Sequence, residues 1–178
     1  NDIVISTDDK KILTMYRNKS FIKLFKRPKY LSTSKSTTVD VILHTLKKYE
    51  SKFCKVDTIL LLQPTSPIRS KKKIDLAFNI FNKHKKNKTI VSVSKSNDLI
   101  KRSFNIKNKK LELVKKKNTK SFNYQVNGNF YIASKNFLKK YKKFYYINRT
   151  LPFILNSKSL SIDIDSKKDF NDASNVLT

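Results

Sequence analysis

Short apolar runs alternate along this chain with segments whose apolar positions recur every three or four residues. Ile3-Val4-Ile5, Thr58 to Leu62 and Thr89 to Val93 have strand length and an unbroken apolar centre, the pattern of strands covered on both faces. Phe21 to Phe25 is a further short, mostly apolar patch. Thr7-Asp8-Asp9 carries N-cap chemistry for a helix over 10–18. Val39, Ile42, Leu43 and Leu46 mark one helical face, and Ile74, Ala77, Phe78 and Phe81 another, over 75–83. This rhythm predicts a mostly parallel sheet with helices on both sides. The middle of the chain changes character. Phe104-Asn105-Ile106, a polar run and Leu111 to Val114 read as a hairpin. Phe130 to Ile132 predicts a strand, 136–142 a short helix, and 169–176 a closing helix. Ser161-Ile162-Asp163-Ile164-Asp165 alternates polar and apolar, which predicts one more strand. The expected fold is α/β: a three-layer sandwich with a Rossmann-like sheet, one domain over 1–178, and a hairpin excursion between about residues 95 and 127.

Composition changes the picture in one respect. The formal charge is +27 over 178 residues. Such a charge attracts anions, including RNA, DNA and anionic membranes. The lysines are spread along the chain rather than gathered in one arm, which favours a general compositional drift over a dedicated nucleic-acid or membrane face. A basic cleft would still draw in a phosphorylated substrate. The single cysteine, Cys54, excludes an internal disulfide and fits a reducing, cytoplasmic compartment. No apolar run reaches the length of a membrane-spanning helix, so no membrane partner is expected.

The most informative stretch is LLQPTSPIR, residues 61–69, at the end of a predicted strand. Ligands of open α/β sheets bind beyond the carboxyl ends of the strands. Two prolines stiffen this loop and lower the ordering cost of binding. Gln63 offers a donor and an acceptor, Thr65 and Ser66 offer hydroxyls, and Arg69 has the fork that grips a carboxylate or phosphate. The same residues also suit a capped, Pro-rich turn before a helix. Asp163 and Asp165 are two apart in a predicted strand, so both carboxylates are expected on one face. Paired hard oxygens suit Mg²⁺ and substrate phosphates. Gly128 is the only glycine, which marks a positive φ, a close backbone approach or a tight turn.

LLQPTSPIR closely resembles a signature of the acylneuraminate cytidylyltransferases, the CMP-sialic acid synthetases. Four more blocks resemble that family in the same order: DIVISTDD at 2–9, RPKYL at 27–31, VNGNFYI at 126–132 and SIDIDSKKD at 161–169. The resemblance implies transfer of CMP from CTP to a nonulosonic, nine-carbon sugar acid, with release of pyrophosphate. It implies that Asp163 and Asp165 hold Mg²⁺, that Arg27 and Thr38 serve the nucleotide, and that Gln63, Arg69, Asn127, Gly128 and Tyr131 serve the sugar acid. Thr38 also reads as an N-cap, and Tyr131 as a packing residue. The resemblance further implies a homodimer built through the hairpin excursion, to which Tyr145 and Tyr146 contribute.

Two departures stand out. Nothing in the chain resembles the family's opening strand and phosphate-binding loop, so the domain is expected to be N-terminally incomplete and impaired in catalysis. Lys117 stands where the family has an arginine for the sugar carboxylate; it keeps the charge and loses the bidentate fork. Two other readings stay open: a non-catalytic descendant or partner subunit of the same fold, and a basic RNA-binding module.

Overall fold

The computed structural model describes residues 2–84, 89–96, 104–107, 110–113, 123–146 and 149–177. The chain forms two compact units, residues 1–56 and 57–178. Among the described residues no helix is long and apolar enough to cross a membrane.

In the first unit, strands β1 (Ile3–Thr7) and β2 (Ile22–Lys26) pair in parallel, Ile3 opposite Ile22 and Thr7 opposite Lys26. Helix α1 (Lys10–Tyr16) connects them and is capped by Asp9, whose carboxylate accepts the Lys11 N–H at 2.7 Å. Helix α2 (Thr38–Glu50) buries Val39 and Leu46 on the expected face. Its cap is Thr37, whose hydroxyl accepts the Asp40 N–H at 3.1 Å, so Thr38 is the first helical residue and not the cap.

The second unit carries a six-stranded sheet. Its strands are β3 (Thr58–Leu61), β4 (Thr89–Ser96), β5 (Phe104–Lys107), β6 (Lys110–Leu113), β7 (Asn123–Ser134) and β8 (Thr150–Ile154). β3 and β4 both run antiparallel to β7, and β8 runs parallel to β4. β3, β4 and β8 therefore share a direction, and β7, set between β3 and β4, opposes them, so the sheet is mixed. β5 and β6 form the expected hairpin, Phe104 opposite Leu113. β8 was not legible beforehand: Pro152 interrupts it, which a strand tolerates at a sheet border.

Side chains alternate across the sheet. Ile90, Phe130, Ile132 and Phe153 face helix α3 (Lys71–Lys83), which buries Ala77 and Phe81 against them. Val91 and Val93 face the other way and pack with Phe104, Leu111 and Tyr131. Full burial of a side chain such as Phe81 contributes about 2–3 kcal/mol. Helix α4 (Lys135–Tyr141) starts on the Ser134 hydroxyl, and helix α5 (Lys167–Leu177) closes the chain.

The strand expected over 161–165 does not form. A 3-10 turn occupies Ser159–Ser161, and an irregular segment leads from it to α5. The alternation of Ile162 and Ile164 with the aspartates is real, but no neighbouring strand is paired to it. The Ile164 N–H instead donates to the Thr65 carbonyl at 2.7 Å.

Candidate active site

The site follows from how β7 is shared. The carboxyl-terminal half of β7 pairs β3, ending at Leu61 opposite Tyr131; its amino-terminal half meets β5 at Tyr124 opposite Phe104. On its other edge β4 pairs Val91 with Tyr131 and Val93 with Val126. One residue of β4, Ser92, thus stands against four of β7, residues 127–130. This wide bulge lies where the chain leaves β3 and enters the proline loop. Bulges of this kind re-aim side chains and recur beside active sites.

Asn127, Gly128 and Asn129 occupy the bulge. Gly128 has φ +75°. A Cβ there would lie 2.9 Å from Gln63 Oε1, 3.0 Å from Ser66 Oγ and 3.4 Å from Asp163 Oδ2. Glycine is required on both counts, conformation and space. The same distances show that Gln63, Ser66 and Asp163 converge on the space beside Gly128 that a Cβ would fill. Three motifs far apart in sequence meet there.

The loop after β3 is stitched to this point. Ser66 is fully buried; its hydroxyl lies 3.3 Å from the Asn127 carbonyl and 3.4 Å from Asp163 Oδ1, and can donate to either. Arg69 donates from Nε to the Asn129 carbonyl at 3.2 Å and from Nη2 to the Gln63 carbonyl. Its fork braces the loop against β7, and burial lowers the pKa of its guanidinium. The Asn129 amide donates to the carbonyls of Ile68 and Leu160, each at 2.8 Å, tying in the segment that precedes Asp163.

Asp163 and Asp165 flank a tight turn in which the Asp165 N–H donates to the Asp163 carbonyl at 3.1 Å. The two residues are held adjacent by this turn, not by strand alternation. Asp163 is half-buried beside Ser66, and Asp165 is exposed. Asp169 has a separate task. Its carboxylate accepts the Ser166 N–H at 2.8 Å and the Ser166 hydroxyl at 2.7 Å, and the Ser166 hydroxyl accepts the Asp169 N–H at 3.3 Å. This is a capping box for α5, and these bonds hold the Asp169 pKa below its ordinary value, the Ser166 hydroxyl most of all.

Tyr131 borders the cluster. Burial, then the charge of Asp163, pushes its phenol up to about 12, so it stays protonated at neutral pH. Its ring packs on Phe144 at 5.3 Å. Tyr145 packs edge-on against Phe104, and Tyr146 against Tyr141.

Arg27 and Thr38 belong to the first unit. Arg27 donates from Nη2 to the Ser6 carbonyl, and its backbone N–H to the Thr7 carbonyl at 2.8 Å, at the end of β1. Thr38 is exposed at the start of α2. Lys117 lies outside the described residues. Ser92 was not singled out from sequence; a serine between two valines of an apolar strand, IVSVS, is the signal that marks it.

The donor set fits a magnesium ion. Two hard carboxylates stand two residues apart, and among the described residues no group of three or more His, Cys, Asp or Glu could form a complete protein cage. Mg²⁺ keeps several waters and is commonly held by one or two carboxylates plus substrate phosphates.

The sequence model described as Cytidylyltransferase matches residues 1–171. The chain is similar to the CMP-N,N'-diacetyllegionaminic acid synthase of Legionella pneumophila, 32% identical over 95% of this chain and 75% of that protein. It is also similar to the N-acylneuraminate cytidylyltransferase of Escherichia coli, 30% identical over 81% of this chain and 34% of that longer protein. In architecture it resembles a CMP:2-keto-3-deoxy-manno-octonic acid synthetase solved in complex with CTP, with a TM-score of 0.70 over 99% of this chain and 80% of the other, at 9% identity.

Proposed function

The chain belongs to the cytidylyltransferase family, and we propose that it transfers CMP from CTP to a nonulosonic sugar acid of the sialic or legionaminic type. The observation that carries this reading is the convergence of Gln63, Ser66 and Asp163 on Gly128. A hydroxyl oxygen of the sugar acid forms the new bond to the α-phosphorus. The bond from that phosphorus to the bridging oxygen breaks, pyrophosphate departs with the electron pair, and the hydroxyl proton passes to water.

In this reading Asp163 and Asp165 would hold Mg²⁺. When bound, the ion would orient the phosphates and offset the charge that develops on them. Ser66 is placed to hold Asp163 by its hydroxyl, which limits the carboxylate's freedom. Gln63 and the Asn127 amide would contact the sugar acid, and Gly128 would let it approach the backbone closely. Arg69 would keep the loop in register with β7. Arg27 and Thr38 would serve the nucleotide, and the β5–β6 hairpin would pair with a second copy in a homodimer.

The test is direct. The protein is incubated with CTP, Mg²⁺ and either N-acetylneuraminic or N,N'-diacetyllegionaminic acid, and both CMP-sugar and pyrophosphate are measured. Equal amounts of the two products, absent without the sugar acid and abolished by EDTA, are expected. Pyrophosphate release that ignores the sugar acid, or binding of neither substrate, overturns the proposal.

A further inference from the structure

We propose that Ser92 is a positioning residue that, with the Asn129 N–H, holds the Asn127 side-chain amide with its oxygen inward, and that it thereby makes Asn127 a hydrogen-bond donor to the sugar acid. Ser92 is fully buried, and it is the residue of β4 that fills the bulge of β7. Its hydroxyl accepts the Phe130 N–H at 3.0 Å. The same hydroxyl donates to Asn127 Oδ1 at 2.6 Å. The Asn129 N–H also points at Asn127 Oδ1, at 3.3 Å.

The polarity of this chain admits one arrangement. A backbone N–H cannot donate to an NH₂ group, so the atom facing Asn129 and Ser92 is the amide oxygen. Ser92 must then give its proton to that oxygen, since the oxygen has none to offer. The NH₂ is left over, and Nδ2 of this buried side chain (7% exposed) has no partner among the described residues. A buried donor without a partner is costly. A ligand atom that accepts, such as a sugar hydroxyl or carboxylate oxygen, relieves that cost on binding. Ligands that present only donors at this point are rejected.

The Ser92 hydroxyl, which makes the shorter of the two bonds to that oxygen, therefore acts on specificity through Asn127. Serine suits the position because its hydroxyl accepts the Phe130 N–H and still has a proton to donate.

The inference rests on the sugar-acid reading of Asn127, and its experiment separates the two. Steady-state kinetics are measured for Ser92→Ala, Ser92→Thr, Asn127→Asp and the Ser92→Ala/Asn127→Asp pair, with thermal melting of each. Ser92→Ala is expected to raise KM for the sugar acid about tenfold, the scale of one lost hydrogen bond, with KM for CTP unchanged. Ser92→Thr restores it. In the Asn127→Asp background, whose carboxylate has no NH₂ to present, removing the Ser92 hydroxyl adds nothing further. Equal changes in both KM values, or additive effects in the pair, overturn the inference. Should the wild type form no CMP-sugar, the functional reading falls, and the inference is then read from the side-chain amide of Asn127 by ¹⁵N NMR. A resonance pair that is slow to exchange in the wild type and shifted in Ser92→Ala supports it; an unchanged pair refutes it.

Discussion

Replacing Gly128 by alanine perturbs a backbone torsion and a side-chain cluster together, and the structure allows the two costs to be separated. The native φ of +75° is left-handed, a conformation that costs an L-residue with a Cβ about 1–2 kcal/mol. The new methyl would stand 2.9 Å from Gln63 Oε1 and 3.0 Å from Ser66 Oγ. Gln63 can swing its amide away. Ser66 cannot retreat freely, because it is fully buried against the Asn127 carbonyl and Asp163. Overpacking of this kind costs about 1–3 kcal/mol. The sum is about 2–5 kcal/mol, a large share of a domain's stability. Urea denaturation followed by far-ultraviolet circular dichroism reads it for Gly128→Ala, Gln63→Ala and the double variant. Gly128→Ala is expected to lower stability by that amount and to abolish CMP transfer, because the clash displaces Gln63 and Ser66, and Ser66 is the partner of Asp163. In the double variant the contact with Gln63 is gone, while the torsional cost of about 1–2 kcal/mol and the contact with Ser66 remain. A Gly128→Ala protein within about 0.5 kcal/mol of wild type, the range of a neutral surface change, would refute both the torsion and the crowding argument.

Asp163→Asn and Asp165→Asn should each lower CMP transfer on the order of 10²-fold, the scale of one lost preorganised contact to the transition state, and raise the Mg²⁺ concentration needed for half-maximal rate; an unchanged Mg²⁺ dependence speaks against the carboxylate pair. Arg69→Lys keeps the charge but cannot reach the Gln63 and Asn129 carbonyls with one planar fork; a loss of about 1–3 kcal/mol in thermal or chemical denaturation is expected, and a neutral outcome would show that the loop needs no brace. Asp169 has a lowered pKa in the folded protein, so its contribution is present above the ordinary carboxylate range and is lost as pH falls through the folded value. Melting temperature measured against pH should fall more steeply below about pH 4 in wild type than in Asp169→Asn, and parallel curves would remove the capping box from the account.

Much of this protein was legible in one dimension because periodicity and turn chemistry are local. The apolar runs at Ile3, Thr58 and Thr89 are strands, the stripes at Val39 and Ile74 are helix faces, and the hairpin of β5 and β6 lies where the alternation placed it. Three of the five blocks that carry the family resemblance, at 61–69, 126–132 and 161–169, meet at Gly128. Local pattern could not tell whether a segment finds a partner. Ser161 to Asp165 alternates like a strand, yet its backbone bonds go to the Thr65 carbonyl and to its own turn. The Arg69 fork looks like a ligand clamp in the sequence, and in the fold two of its five N–H donors bond backbone carbonyls of the loop and of β7. Ser92 and the bulge it fills depend on four residues of one strand lying against one of another. Which hydrogen-bonding groups are satisfied within the chain, and which remain for a ligand, is a property of three-dimensional neighbours. Sequence supplied the inventory of donors and acceptors, and only the tertiary structure decided which of them were already spent.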